Sequence, residues 1–262
     1  MISIITPVRN GERFVESCLK NVLEQQSPDL EHIVIDGASS DSTPAIIERF
    51  ADHYQHVRWI SEKDRGQSDA MNKGIALAKG DIIGVLNIDD YYEPEALQRV
   101  VELFKTLPEP SLLVGNCNMW GNDGELLDVN RPSHLKLTDL LIGDEARHPF
   151  PVNPSAYFYH KSLHKKIGLY NVDEQFAMDI DFLLRAIPHA HVVYIDEILG
   201  NYRLVKGTKT YDDREAGRME ERLRKLINIH RKGLPLHQRY RVTVFGLLYR
   251  SWRAIQKRVR KG

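Results

Sequence analysis

The sequence predicts an α/β protein, a mostly parallel sheet flanked by helices, with a helical extension at its C-terminus. Three observations carry that expectation. Short β-branched runs alternate with amphipathic helical stretches over the first 107 residues, and three of the strand-like runs end in polar loops. The chain then changes character after about residue 205, where basic residues crowd two further helical stretches. Alternating strands and helices build a parallel sheet covered on both faces, and such sheets hold their ligands beyond the carboxyl ends of the strands.

Each element has its own warrant. ISII reads as the first strand and TPVRNG as the loop after it. ERFVESCLKNVLEQQ reads as a helix, since Phe14, Cys18, Val22 and Val15, Leu19, Leu23 recur at helical spacing before Ser27-Pro28 stops it. HIVID is the second strand and GASSDS its loop, with Thr43-Pro44 as cap and first helical position of PAIIERFAD. VRWI is the third strand; after SEKDRGQ, a helix from Ser68 turns Ala70, Met71, Ile75 and Ala78 inward and ends at Gly80. DIIGVL is the fourth strand. The loops TPVRNG, DGASSD and NIDD should therefore share one sheet edge.

Beyond Leu107 the pattern becomes mixed: LLVGNCNMW, SAYFYH and HVVYI read as strands, GNDGE as a turn and DIDFLLRAI as a helix. No repeat, low-complexity run or linker interrupts the chain before about residue 205. Residues 1–205 are therefore expected as one domain, in halves 1–107 and 108–205, with 206–262 as a basic amphipathic helical extension.

Composition narrows the class. The chain has 262 residues, 42% of them hydrophobic, enough for a substantial core. Its only cysteines are Cys18 and Cys117, which argues against a disulfide framework or a cysteine-rich zinc site. Met1 leads directly into apolar residues without a basic leader or a small-residue cleavage site, and no apolar run approaches bilayer-spanning length. The expectation is a cytoplasmic protein. Net charge is zero, from 36 bases and 36 acids, yet Arg218 to Gly262 holds 14 Lys/Arg against Glu220 and Glu221. An acidic body carries a basic tail.

The stretch VLNIDDYYEP closes a buried strand on two adjacent carboxylates. Paired acids repel and resist burial, so a divalent cation is one reason to keep them. The chain has neither GxGxxG nor GxxxxGK[ST], which leaves a nucleotide to be held by side chains and by a metal bridging its phosphates. Asp89 and Asp90 offer hard oxygen ligands suited to Mg²⁺ or Mn²⁺. The eleven histidines show no HExxH spacing, and His148, His160, His164, His189 and His191 read as scattered surface or strand residues.

Six blocks in order, IITPVRNG, HIVIDGASSDST, EKDRGQSDAMNKGIALAKGD, LNIDDYYEP, HPFPVNPSAYFYHKSLHKKIGLYN and AMDIDFLLRA, give a chain that resembles the family 2 glycosyltransferases of the Rossmann-like GT-A fold. The resemblance covers roughly residues 1–205. It implies an inverting transferase that uses a divalent cation to move a sugar from a nucleotide diphosphate, UDP by family habit, to an acceptor hydroxyl. Residues 1–107 would then be the nucleotide-sugar half and 108–205 the acceptor side.

Residue by residue, the resemblance implies that Thr6, Pro7, Arg9, Asn10 and Asp36 hold base and ribose. Many relatives carry two acids where this chain has Asp36-Gly37. Asp64, Arg65 and Gln67 match the loop that approaches ribose and diphosphate, and Arg203, with Lys206 behind it, a basic loop on the diphosphate. Asn87-Ile88-Asp89-Asp90 matches the metal motif, with Asn87 in place of its first acid, Asp89 as first metal ligand and Asp90 as second. Tyr91 and Tyr92 read as packing and rim residues. Asp179 matches the catalytic base, and Asp181 would orient it or bind acceptor. The plainer reading is that one of these two acids caps the helix DIDFLLRAI.

In the tail, residues 218–232 set Met219, Leu223, Leu226 and His230 on one face. A second helix sets Phe245, Leu248, Trp252, Ile255 and Val259 in a stripe among Arg250, Arg253, Lys257, Arg258, Arg260 and Lys261. Such a helix suits an anionic membrane surface, where lipid-linked saccharide acceptors reside, or packs on the domain or a second subunit. No nucleic-acid-binding module accompanies the charge. Surface polysaccharide or lipopolysaccharide synthesis follows from the family analogy, with a non-catalytic nucleotide-sugar-binding or scaffold protein as the alternative.

Overall fold

The computed structural model describes residues 1–27, 29–143 and 148–259, with backbone alone at 209 and 250–259. In chain order its elements are β1 (Ile2–Val8), α1 (Val15–Glu24), β2 (Leu30–Asp36), α2 (Thr43–His53), β3 (Val57–Ser61), α3 (Gln67–Leu77), β4 (Ile82–Val85), β5 (Tyr91–Tyr92) and α4 (Ala96–Phe104). Then come β6 (Ser111–Trp120), β7 (Leu126–Asn130), α5 (Leu137–Leu140), β8 (Tyr157–His160), α6 (His164–Ile167), α7 (Met178–Ala186), β9 (His191–Arg203), α8 (Lys209–Glu215), α9 (Arg218–Lys232) and α10 (Leu236–Val259).

The strands join in one sheet, ordered β3-β2-β1-β4-β8-β6-β9-β5, with β7 paired to β6 off that path. The first four strands are parallel. Farther along, β8 runs antiparallel to both β4 and β6, and β9 runs parallel to β6. The sheet is thus mixed beyond β4, in line with the change of pattern read after Leu107.

Every residue of β1 is buried, as expected for a strand covered on both faces. One face carries Ile5, Ile33, Ile83 and Leu112 against α3 and α7. The other packs Ile2, Ile4 and Phe158 against α1 and α4, and Val8 and Val34 against α2. Tyr92 is a packing residue, its ring centroid 5.6 Å from that of Phe158.

Three elements depart from the sequence reading. Thr6, Pro7 and Val8 extend the first strand instead of forming a loop, because β2 pairs with it through Val8 and Asp36. Since β4 pairs with β1 only as far as Ile5, Pro7 lies where β1 has a partner on one side, a position that tolerates a missing N–H. HVVYI grows into the thirteen-residue β9, with register shifts against β6 between Val114 and Cys117. Its far end meets β5 through Tyr91–Asn201 and Tyr92–Gly200. The strand β7, unread in the sequence, completes a hairpin over the expected turn at 121–125.

The C-terminal helices lie against the body. Leu226, Ile227 and Val242 are buried in the same cluster as Leu140, Leu141 and Phe182. Arg231 Nε donates to the Leu141 carbonyl at 2.7 Å and Nη2 to Ile142 at 3.0 Å. The faces differ from the expected stripes: Met219 is 43% exposed and Ile227 is inside, and Phe245 and Leu248 face solvent. Trp252, Ile255, Val259 and the bases from Arg250 to Lys261 lie outside the described side chains. No helix among the described residues is long and apolar enough to cross a membrane.

Candidate active site

The ends of β1, β2 and β3 are tied together by Asp36. Its carboxylate, fully buried, accepts from the Ser39 backbone N–H at 3.1 Å, from Ser61 Oγ at 2.5 Å and from Ser39 Oγ. Asn10 sits at φ +51°, a left-handed conformation that asparagine tolerates. Its N–H donates to Ser39 Oγ at 2.7 Å, and its Oδ1 accepts from the Ser40 N–H at 2.9 Å. A Cβ at Gly37 would meet Asp64 Oδ2 at 2.4 Å. The Asp64 carboxylate, held by the Gly66 N–H at 2.9 Å, fills the space that a side chain at 37 would take. Arg9 is exposed beside them.

Asp36, Asp64, Arg9 and Asn10 therefore come together as expected, and Thr6 does not. Its side chain turns into the core, where Oγ1 bonds His32 Nε2 at 2.8 Å. Burial pushes His32 down to about 3, so it is neutral there. Pro7 is buried within the strand, leaving no side-chain role for either residue at the sheet edge.

Beyond β4 the two aspartates separate in role. Asp90 is buried and accepts from Asn153 Nδ2 at 2.7 Å, Asn87 Nδ2 at 3.1 Å and the Arg203 N–H at 3.0 Å. Its burial and the charge of Asp89 push it up to about 8. Asp89 is half-buried and also raised by burial, and Arg203 lowers it in part. The Arg203 guanidinium donates to the Asp89 carbonyl and lies 5.4 Å from the Phe14 ring centroid and 5.6 Å from that of Tyr91. Gln67 Nε2 donates to Asn87 Oδ1 at 2.8 Å.

Among the described residues no three His, Cys, Asp or Glu side chains gather to cage a metal. The donor set still fits a cation of the kind that takes one carboxylate and completes its shell with water and phosphate oxygens. Asp89, the less buried of the pair, would supply that carboxylate. Asp90, expected as second ligand, already accepts three hydrogen bonds from within the chain, so Asp89 is the freer of the two.

Asp179 lies in the first turn of α7. Tyr157 Oη donates to its Oδ1 at 3.1 Å, leaving the second oxygen for another partner. Burial pushes Asp179 up to about 6, and the Tyr157 bond opposes the rise. Neither Asp179 nor Asp181 caps the helix by hydrogen bonding; just ahead of it, Glu174 Oε1 accepts from the Phe176 and Ala177 N–H groups at 3.0 and 2.9 Å. Asp181 faces elsewhere, with Oδ2 at 2.9 Å from Arg185 Nε and Oδ1 at 3.0 Å from His230 Nε2 on α9. Burial opposes ionisation, yet His230 and Arg185 hold Asp181 below its ordinary range.

One helix start joins the two acidic sites. At the head of α3, Gln67 reaches Asn87, and Ser68 Oγ donates to the Glu174 carbonyl at 3.1 Å and to Met178 Sδ at 3.4 Å. A second link is the segment Asn153–Tyr157, which touches Asp90 at one end and Asp179 at the other. Asn153 and Tyr157 were missed in the sequence. Tyr157 shares strand parity with Tyr159, which would have placed both on one face. His148 lies 5.5 Å from His134, ring centroid to ring centroid.

The family model for glycosyl transferase family 2 matches residues 3–138. An uncharacterized glycosyltransferase of Bacillus subtilis, EpsJ, is 29% identical over 212 residues, 78% of this chain; the chain spans 61% of that protein's length. Staphylococcus aureus TarS, solved with UDP-GlcNAc, aligns over 92% of this chain and 70% of its own, with a TM-score of 0.69 and 18% identity. The mannosyltransferase PcManGT from Pyrobaculum calidifontis, solved with GDP-Man and Mn²⁺, aligns over 98% of this chain and 84% of its own, at 0.62 and 17%. At these identities the two structures speak for a shared fold.

Proposed function

Because the chain belongs to glycosyl transferase family 2, we propose that it is an inverting, metal-dependent transferase acting on a nucleoside diphosphate sugar, with UDP the favoured nucleotide. The observation that carries this reading is Asp179: a carboxylate raised to about 6, oriented by Tyr157, with one oxygen uncommitted. That is the poise of a general base near neutral pH.

The second oxygen of Asp179 takes the proton of the acceptor hydroxyl as that oxygen bonds the anomeric carbon. The bond from that carbon to the diphosphate breaks, its electron pair leaving with the diphosphate on the opposite face, so the configuration inverts. Asp36, Asp64, Arg9 and Asn10 hold base and ribose. Gln67 and Asn87 line the approach to the diphosphate, and Arg203 places its positive charge beside it. A Mn²⁺ or Mg²⁺ held by Asp89 would neutralise charge on the leaving group. Asp181 positions the helix that carries the base and does not itself bind a substrate.

The bound UDP-GlcNAc and GDP-Man of the two structural relatives support a nucleotide-sugar donor here, and the family supports surface polysaccharide or lipopolysaccharide as the setting. The test is a thermal-shift panel of UDP, dTDP, GDP and CMP, each with and without Mn²⁺, on wild type and Asp89→Ala. A metal-dependent rise with one nucleotide, abolished by the substitution, is the expected result. No rise with any nucleotide at millimolar concentration would overturn the donor assignment.

A further inference from the structure

The helix α10 has two unlike sides. Inward, Val242 is buried in the main core, and Gly246 lies so close to the body that a Cβ would come 3.2 Å from Arg231 Nη2 and 3.3 Å from the Ile142 carbonyl oxygen. Outward, Leu236 is 83% exposed, Tyr240 75%, Leu247 53% and Leu248 61%. At about 100° per residue these four fall within about 120° of one another, on the side away from Val242 and Gly246. A contiguous apolar stripe held to solvent by a helix already packed on its other side marks an interaction surface.

The charge around the stripe says what it fits. Arg239 and Arg241 are exposed on the same helix. From Arg222 to Lys261 the sequence has thirteen Lys/Arg and no Asp or Glu. A second copy meeting this face would set Arg239 and Arg241 against the same bases of its partner. A nucleic acid would answer the bases and leave the leucines in water. An interface of anionic headgroups over acyl chains answers both.

We propose that the outward face of α10 docks the protein on an anionic lipid surface, with Leu236, Tyr240, Leu247 and Leu248 entering the headgroup boundary and the flanking arginines contacting phosphates. The inference is independent of the donor reading. It concerns a face formed by the extension, with none of the residues assigned to sugar transfer.

Flotation of the full chain with phosphatidylcholine vesicles, with and without phosphatidylglycerol, tests it. The expected result is flotation that requires phosphatidylglycerol and weakens as salt screens the charges. The pair Leu247→Glu and Leu248→Glu should weaken vesicle partitioning by about tenfold or more. It should keep the wild-type melting temperature and nucleotide response, which separates loss of docking from misfolding and from failure of the donor assignment. Arg239→Gln with Arg241→Gln should lower the preference for the anionic vesicles. Absence of flotation in the wild type would overturn the proposal. So would equal flotation on phosphatidylcholine alone, or a dimer in sedimentation that the two glutamates dissolve.

Discussion

On the proposed mechanism, the rise of Asp179 to about 6 would set the acid limb of catalysis. Below that value Asp179 is protonated and cannot accept from the acceptor hydroxyl, so kcat/KM should fall about tenfold per pH unit on the acid side, with the midpoint near 6. Stability runs the other way. Folding holds this proton more tightly than the unfolded chain does, so between about 4 and about 6 the contribution of Asp179 to stability is lost as pH rises. Asp179→Asn should lower kcat by roughly 10²–10⁴, leave the melting temperature unchanged or raised, and remove that part of its pH dependence. Steady-state rates and thermal melts across pH check both. The adjacent aspartates should divide in the same assays. Asp89→Ala should abolish the metal-dependent nucleotide shift on an intact fold. Asp90→Ala strips an acceptor from Asn87, Asn153 and the Arg203 N–H, at a cost of about 3 kcal/mol in urea unfolding. Asp179 and Asp89 stand out as candidates in the sequence because their neighbours carry the motif. The role of Asp90 does not, because two of its partners lie 63 and 113 residues away.

At the scale of elements, α7 is braced from outside by α9. His230 and Arg185 meet on Asp181, two residues beyond Asp179. His230→Ala should lower the melting temperature by a few degrees and reduce kcat more than it raises KM, because the helix bearing Asp179 loses an outer support. Asp181 is held low when folded, so its contribution is present above about 4 and lost as pH falls below it. Acid titration followed by tryptophan fluorescence should show an added transition in that range, which His230→Ala diminishes. The alternation of strands and helices up to β4 was readable because each buried strand is short and bounded by turn residues. The faces of α9 and α10 were not. Apolar residues stand on several sides of both helices, so periodicity alone left more than one inward stripe. For α9 the bonds from Arg231 to Leu141 and Ile142, and for α10 the burial of Val242, show which side lies inside.

The whole molecule is one sheet in which early and late strands interleave. β5, from residues 91–92, pairs with β9, and β4 is flanked by β1 and β8. A chain ended at residue 107 should fail to fold and bind no nucleotide, since Tyr92 loses Phe158 and Asp90 loses Asn153 and Arg203. Amide proton dispersion in solution would show it. The same bonds at Asp90 impose an order on synthesis. Translation delivers the acidic loop first, Asn153 much later and Arg203 near the end of the body. A nascent chain therefore carries the loops after β1, β2 and β4 long before it can set them in place, and the ribosome must release β9 before that edge of the sheet is complete.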